Sequence, residues 1–186
     1  TAYHTPGKLE GAQGSFDAAH AVLQRARRFA PDNPDLLFQL STIDNNLGHV
    51  LEGRGRIEEA TINYQRMLEA LQRLVSLGPA NVEWQNQLGL AHNNLAKMAL
   101  MRGDLEMSIA EYRADEKIAA ELVRRDPRNN VQRERRLIAR ATLGRTLALA
   151  GTVVLVVLAA LGGDPWKIVG VSVYGASLVL MYSSST

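Results

Sequence analysis

Polar side chains recur at matching positions of this sequence and could together form a binding surface. Amide and basic residues repeat at intervals of 48 residues, and residues four apart, such as Asn45 and His49, share one face of a helix. A ladder of amides and cations suits an extended peptide with acidic side chains or a C-terminal carboxylate. The predicted peptide-binding set is Asn45, Asn46, His49, Asn93, Asn94, Lys97 and Arg145. Solvated helix faces carry the same kinds of residue, so that interpretation stays open.

Residue patterns typical of catalysis are missing from the sequence. The four histidines show no metal-ligand spacing, and no glycine-rich phosphate loop follows a strand pattern. The absence of cysteine excludes disulfides, cysteine-bound zinc and thiol chemistry. The carboxylate pairs Glu58-Glu59 and Asp115-Glu116 are expected to be solvated. We therefore predict no enzyme, no cofactor, no metal and no small-molecule substrate.

Charge divides the chain into two parts. Residues 152–186 contain only two charges, Asp164 and Lys167, whereas residues 1–151 carry the other 20 basic and 18 acidic side chains. The net charge of +2 is too small to indicate nucleic acid. Arginines crowd residues 124–145, but without interleaved aromatic residues for base stacking, so no nucleic-acid partner is predicted. The first residue is Thr, so no conclusion follows about a signal peptide.

An internal repeat organises the first part of the chain. Four kinds of residue each recur at a step of 48, which is hard to obtain by chance. The markers are Pro31, Pro79 and Pro127; Asn33, Asn81 and Asn129; Leu47, Leu95 and Leu143; and Gly55, Gly103 and Gly151.

Each period predicts two helices separated by a glycine. Apolar spacing indicates first helices over Asp35–Arg54 and Glu83–Arg102 and second helices over Arg56–Leu77 and Asp104–Arg125. Gly at the end of each first helix suits the left-handed conformation of a helix C-terminus. Such a pair buries its apolar stripe only by stacking on neighbouring pairs. A single helical bundle with accidental similarity between its segments is the alternative.

These residues resemble the tetratricopeptide (TPR) repeats over about residues 8–151. Leu47-Gly48, Gly55, Ala60 and Tyr64 match the family pattern, and a partial first copy is formed by Gly14, Phe16, Ala19, Leu23, Ala26 and Pro31. The resemblance implies an all-α helical-hairpin solenoid that binds proteins along the wall formed by its first helices.

The sequence departs from the TPR pattern in three ways. Its period is 48 residues rather than about 34. Met67 and Asp115 stand where the family has a small residue late in the second helix. The ladder resembles the carboxylate clamp of chaperone-binding TPR domains only loosely. Positions that hold further basic residues in that clamp are occupied here by Thr42, Leu90 and Ile138.

The C-terminal part predicts a membrane hairpin over residues 152–186. Uncharged runs of 18 residues from Thr146 and 19 residues from Ile168 flank Asp164-Pro165-Trp166-Lys167. A helix needs roughly 20 apolar residues to cross a bilayer core. The arginine-rich stretch would then be the cytoplasmic flank, with the repeat region in the cytoplasm. A buried β-hairpin is the alternative, but both runs are long for strands.

Residues 154–186 also resemble the first membrane segments of haemolysin III-like proteins, which belong to the progestin and adipoQ receptor family. The Gly-Asp-Pro-Trp string at 163–166 and the Tyr-Gly-Ala-Ser string at 174–177 carry this similarity. That family has a Ser-x-x-x-His metal motif, of which this sequence offers only Ser185. The metal chemistry of the family is therefore not transferred to this chain.

We thus predict an N-terminal arm at 1–7, TPR-like repeats at 8–151 and a hydrophobic helical hairpin at 152–186. The expected function is a protein-interaction scaffold that binds a protein or peptide, of which acidic ones suit the ladder best, and is held on a membrane by its tail. One alternative is a truncated or fused haemolysin III-like membrane protein. Another is a soluble scaffold whose tail packs as a cap. The change of character at residue 152 fits a gene fusion, a truncation or a chimera.

Overall fold

The computed structural model describes residues 6–161 together with residues 169, 170, 173, 175 and 177. Six helices are formed in the described part of the chain, and no strand occurs there, which confirms the all-α class. The helices are α1 (Pro6–Arg27), α2 (Pro34–Gly53), α3 (Ile57–Leu77), α4 (Val82–Met101), α5 (Leu105–Arg125) and α6 (Asn130–Leu161). The chain divides into two compact units, Thr1–Arg102 and Gly103–Thr186.

The repeating asparagines cap helix N-termini. Asn33 Oδ1 accepts hydrogen bonds from the amides of Asp35 at 2.9 Å and Leu36 at 3.1 Å. Asn81 and Asn129 do the same for the third amide beyond them, at 3.1 and 3.2 Å. The first amides of a helix lack partners within it, so each cap stabilises its helix by about 1 kcal/mol. The marker column therefore records where α2, α4 and α6 begin.

The repeating prolines and glycines mark the other helix ends. Gly55 and Gly103 have φ angles of 73° and 78°, the left-handed conformation predicted for them after α2 and α4. Pro31, Pro79 and Pro127 lie in the turns two residues before the capping asparagines, and not at the first helical position. Gly151 differs from the other two glycines because α6 continues through it.

The termini of the predicted repeat region also differ from the pattern. Residues 1–5 of the predicted arm lie outside the described residues, and Pro6 and Gly7 begin α1. Helix α1 continues through Gly14, where the partial repeat was expected to begin. At the other end, the uninterrupted α6 makes residue 152 a boundary of composition and not of secondary structure.

In unit 1, α2 packs against α1 and α3, and α3 packs against α4. Leu37, Tyr64, Leu71 and Leu74 are fully buried in its core, together with the sulfur side chain of Met67, which is 1% exposed. The large Met67 therefore fills the position where a small residue was expected. Leu47 and Leu95 of the leucine column are also buried.

A close approach between α2 and α3 depends on Gly48. A Cβ atom at this position would overlap the ring of Tyr64, whose side chain is fully buried. Since the ring is held in the core, it cannot move aside without opening a cavity. The Leu-Gly pair at 47–48 and Tyr64 therefore form one packing unit.

In unit 2, α5 packs against α6, and two ion pairs join it to the first half of that helix. Arg135 Nη2 contacts Asp115 Oδ1 at 2.7 Å, and Arg136 Nε lies 3.6 Å from Glu116 Oε1. Asp115 is 4% exposed, so the prediction of a solvated carboxylate is wrong for this residue. Burial of its charge is tolerable because the guanidinium compensates it.

The second half of α6 is apolar and exposed. Segment Asn130–Leu158 is the one helix among the described residues that is long and apolar enough to cross a membrane. Exposed side chains of its second half include Val153, Val154, Leu155, Val157, Leu158 and Leu161. Residues 169, 170, 173, 175 and 177 are also helical, and a Cβ atom at Gly175 would overlap Thr152 of α6. Most of the predicted second membrane run lies outside the described residues.

We expect the substitution Gly48→Ala to lower the free energy of unfolding by about 1–3 kcal/mol, because the methyl group overpacks against Tyr64. Thermal unfolding of the full chain in mild detergent, followed by circular dichroism, measures this. Gly53→Ala is the matched control, because it lies in the same helix with open space around its Cα. Equal midpoints for the two variants would contradict the role of Gly48.

Candidate functional site

The predicted ladder is partly assembled in unit 1 by α2 and α4. Asn94 Nδ2 donates a hydrogen bond to Asn45 Oδ1 at 3.0 Å, which links the two helices directly. Asn94 is 3% exposed, so this amide pair serves the contact between helices. Asn46 and Asn93 are half-buried. A step of 48 residues would pair Asn45 with Asn93, but the hydrogen bond is with the next residue, Asn94, because the facing sides of the helices are offset.

The two basic positions of unit 1 meet at a carboxylate that the sequence analysis did not single out. Lys97 Nζ lies 2.7 Å from Glu52 Oε2, and His49 Nδ1 lies 3.7 Å from the same oxygen. Tyr64 donates its hydroxyl hydrogen to Glu52 Oε2 at 3.0 Å and also contacts His49 Nδ1 at 2.9 Å. We call His49, Glu52, Tyr64 and Lys97 the Glu52 cluster.

Electrostatics favour an ionised Glu52 in this cluster. Partial burial opposes ionisation, but the hydrogen bonds from Lys97 and Tyr64 outweigh it and lower the pKa of Glu52. Burial, followed by the neighbouring Glu52 charge, raises the pKa of Tyr64, so its hydroxyl keeps its hydrogen. The carboxylate therefore neutralises Lys97, and the site has less positive charge than the sequence suggested.

The cluster nevertheless remains open to solvent. The side chains of His49 and Lys97 are 47% and 37% exposed, and that of Glu52 is 21% exposed. An incoming carboxylate could replace Glu52 as the partner of Lys97 while the outer face of His49 provides a second donor. The arrangement therefore suits exchange of one carboxylate for another, and affinity depends on how firmly Glu52 is held.

Arg145, the third basic position, belongs to unit 2. Its Nη2 atom donates to Thr142 Oγ1 at 3.3 Å within α6. The structure therefore brings together Asn45 with Asn94 and His49 with Lys97, and it places Arg145 on a different unit. Within the described ranges, no three His, Asp or Glu side chains are grouped as for a metal ion.

A buried histidine–carboxylate pair joins α1 to α2 on another side of unit 1. His20 Nε2 lies 3.2 Å from Asp44 Oδ1, and the Asp44 side chain is 2% exposed. Burial raises the pKa of Asp44 to about 7, although the charges of Arg66 and Arg27 oppose this shift and that of Glu69 adds to it. Burial and the Arg66 charge lower the pKa of His20. The interior thus favours the uncharged forms of both groups.

Comparison with protein-family models finds none that matches this chain. A comparison with curated proteins also finds no match.

Stability should depend on pH through Asp44. Its pKa is 3.8 in the ordinary state and about 7 when folded, so the folded state binds the proton more tightly. Stability from this group is complete below pH 4 and is lost as the pH rises through 7. The loss is at most about 4 kcal/mol, at about 1.4 kcal/mol for each pKa unit.

Asp44→Asn removes this ionisation. The free energy of unfolding of the variant, relative to that of the original chain, should therefore be higher at pH 8 than at pH 5. Thermal midpoints of both proteins at the two pH values measure the difference. A constant difference between them at the two pH values would show that Asp44 does not ionise in this range.

Proposed function

We propose that this chain is a non-enzymatic, TPR-like scaffold that binds an acidic protein segment and is tethered to a membrane by its C-terminal part. The observation that carries the proposal is the exposed apolar half of α6, which continues directly from the half packed on α5. Membrane insertion would remove this surface from water, at roughly 25 cal/mol per Å² of apolar area.

The exposure of α6 favours a membrane over a packed cap. A soluble cap would bury the side chains of α6. Instead, Val154 and Leu158 are 57% and 59% exposed, and Leu161 is 80% exposed. The close approach of Gly175 to Thr152 supports a second helical segment beside α6, as in a membrane hairpin. Small residues permit such approaches between membrane helices.

Charge supports an orientation with the repeat region in the cytoplasm. The arginine-rich stretch at 124–145 immediately precedes the uncharged run. Short flanking segments rich in Lys and Arg stay on the cytoplasmic side of membranes. The haemolysin III-like similarity of residues 154–186 enters this proposal only as an origin for the anchor.

The helix pairing of unit 1 supports the TPR-like part of the proposal. Three features follow the repeat pattern: the capping asparagines, the left-handed glycines and the Gly48–Tyr64 contact. The Glu52 cluster lies on the helices that would line the binding wall. Its exposed Lys97 and His49 supply an ammonium and an imidazole donor for an acidic segment.

Binding of an acidic peptide should be limited by competition from Glu52. We expect Glu52→Gln to strengthen the binding of a fluorescent hexaglutamate peptide about fivefold, because Lys97 loses its internal partner. Lys97→Glu should abolish binding. Fluorescence anisotropy with the full chain in mild detergent measures both affinities. Arg145→Glu, in unit 2, tests whether the third basic position takes part.

The control for the peptide experiment is Glu58→Gln, which changes the net charge equally at an exposed position of α3. It should leave the affinity unchanged. If both glutamine variants strengthen binding equally, the effect is one of overall charge. If Lys97→Glu binds as well as the original chain, the ladder is a solvated surface and the peptide site is wrong.

Membrane insertion should be sensitive to charge in the apolar half of α6. Lys in place of Leu155 and Leu158 would cost about 2.5–3.5 kcal/mol per residue inside a bilayer, so we expect the double variant to leave the membrane pellet on alkaline-carbonate extraction. Both leucines are exposed, at 43% and 59%, so the helix itself should tolerate the change.

Val131→Lys is the matched control for this experiment, because Val131 is 70% exposed on α6 outside the apolar half. It should remain in the pellet with the unchanged chain. Extraction of the unchanged chain itself would refute the tether and favour the soluble scaffold.

A further inference from the structure

One face of α6 runs exposed along the whole helix and changes from charged to apolar. Its positions alternate by steps of four and three residues, which keeps them on one side of a helix. Leu137, Leu147 and Val154 on this face are 68%, 40% and 57% exposed. We call this face the α6 stripe, which consists of Arg133, Leu137, Arg140, Gly144, Leu147, Gly151, Val154 and Leu158.

The corresponding face of α2 has a different environment. Two periods earlier, the five positions equivalent to the stripe residues between 133 and 147 are buried, and Gly48 among them lies against Tyr64 of α3. These equivalents are Leu37, Ser41, Asp44, Gly48 and Leu51. In α6 the same positions are exposed or half-exposed, and arginines replace Leu37 and Asp44. The repeat thus supplies a helix-binding face to α2 and a cationic face to α6.

The arginines of the stripe are among those that α5 does not neutralise. Four other arginines of the 124–145 stretch bind α5 carboxylates: Arg124 and Arg125 with Glu121, Arg135 with Asp115, and Arg136 with Glu116. Arg133 contacts the amide oxygen of Asn130 at 3.5 Å. Among the described residues, neither Arg133 nor Arg140 has a carboxylate partner. Both guanidinium groups are therefore available to an anion from outside.

Distance along the helix places Arg140 close to the lipid headgroups. It lies six residues before the uncharged run that begins at Thr146, or about 9 Å at the rise of an α-helix, and an anionic membrane surface attracts basic side chains within about a Debye length. Arg133 lies two turns further out. Arg145 lies inside this interval, and its side chain bends back to Thr142, the direction in which an arginine reaches a membrane surface.

We propose that Arg133 and Arg140 bind the phosphate groups of anionic phospholipids, with Leu137 between them on the same face of α6. This rests on the proposed membrane tether. One guanidinium group can bind two phosphate oxygens at once. Basic residues beside a membrane helix also attract anionic lipids. A packed helix suits this face less well, because it would bury two arginines that lack compensating carboxylates.

Lipid retention tests the headgroup site on the full chain. The protein in mild detergent is incubated with equal amounts of phosphatidylglycerol and phosphatidylcholine, and native mass spectrometry counts the retained lipids. We expect Arg133→Gln/Arg140→Gln to lower the preference for phosphatidylglycerol about 10- to 30-fold. Arg124→Gln/Arg125→Gln should keep it, although it removes the same charge, because those arginines bind Glu121.

The outcomes separate the headgroup site from the tether. Equal preference in the original chain and in Arg133→Gln/Arg140→Gln, with both carbonate-resistant, overturns the site and leaves the tether. If carbonate extracts the original chain from the membrane, and the double variant still loses the preference for phosphatidylglycerol, the tether is overturned and a surface site for the same lipids is supported. A dimer that forms without lipid preference, and is tightened by the double variant, shows that a second copy covers the stripe.

Discussion

The contact between Gly48 and Tyr64 is the constraint on which the organisation of unit 1 depends. The missing Cβ atom lets the ring reach the backbone of α2, so α2 and α3 pack closely over a continuous core. The same ring directs its hydroxyl to Glu52, and Glu52 in turn holds Lys97 of α4. The contact between Gly48 and Tyr64 thus connects the core to the charge distribution on the surface. A larger residue at position 48 would disturb the core and this charge distribution together.

The helices of this chain could be predicted closely because their signals are local. The predicted Asp35–Arg54 became Pro34–Gly53, and the predicted Asp104–Arg125 became Leu105–Arg125. Helix caps and left-handed glycines depend on only a few neighbouring residues, so the local sequence is sufficient to locate them. The partial first repeat was predicted from Gly14 onwards, whereas α1 begins at Pro6 and continues through this glycine.

The polar contacts were less predictable because they join residues that are distant in sequence. The 48-residue step identified His49 and Lys97, but it gave no indication that Glu52 would lie between them. Nor could the sequence show that His20 meets Asp44 in the interior or that Asp115 binds Arg135. Each pairing depends on the rotation of one helix against another. That rotation is set by shape in the core, which periodicity describes only as an average.

The unbroken course of α6 through Gly151 has a mechanical consequence. A chain with a flexible linker between its soluble and membrane parts would isolate the two, whereas α6 has no hinge between the half packed on α5 and the apolar half. A membrane helix tilts when the bilayer becomes thinner than its hydrophobic length. On the proposed topology, α6 would act as a lever that transmits this tilt to α5. Bilayer thickness would then set the angle at which unit 2 stands on the membrane.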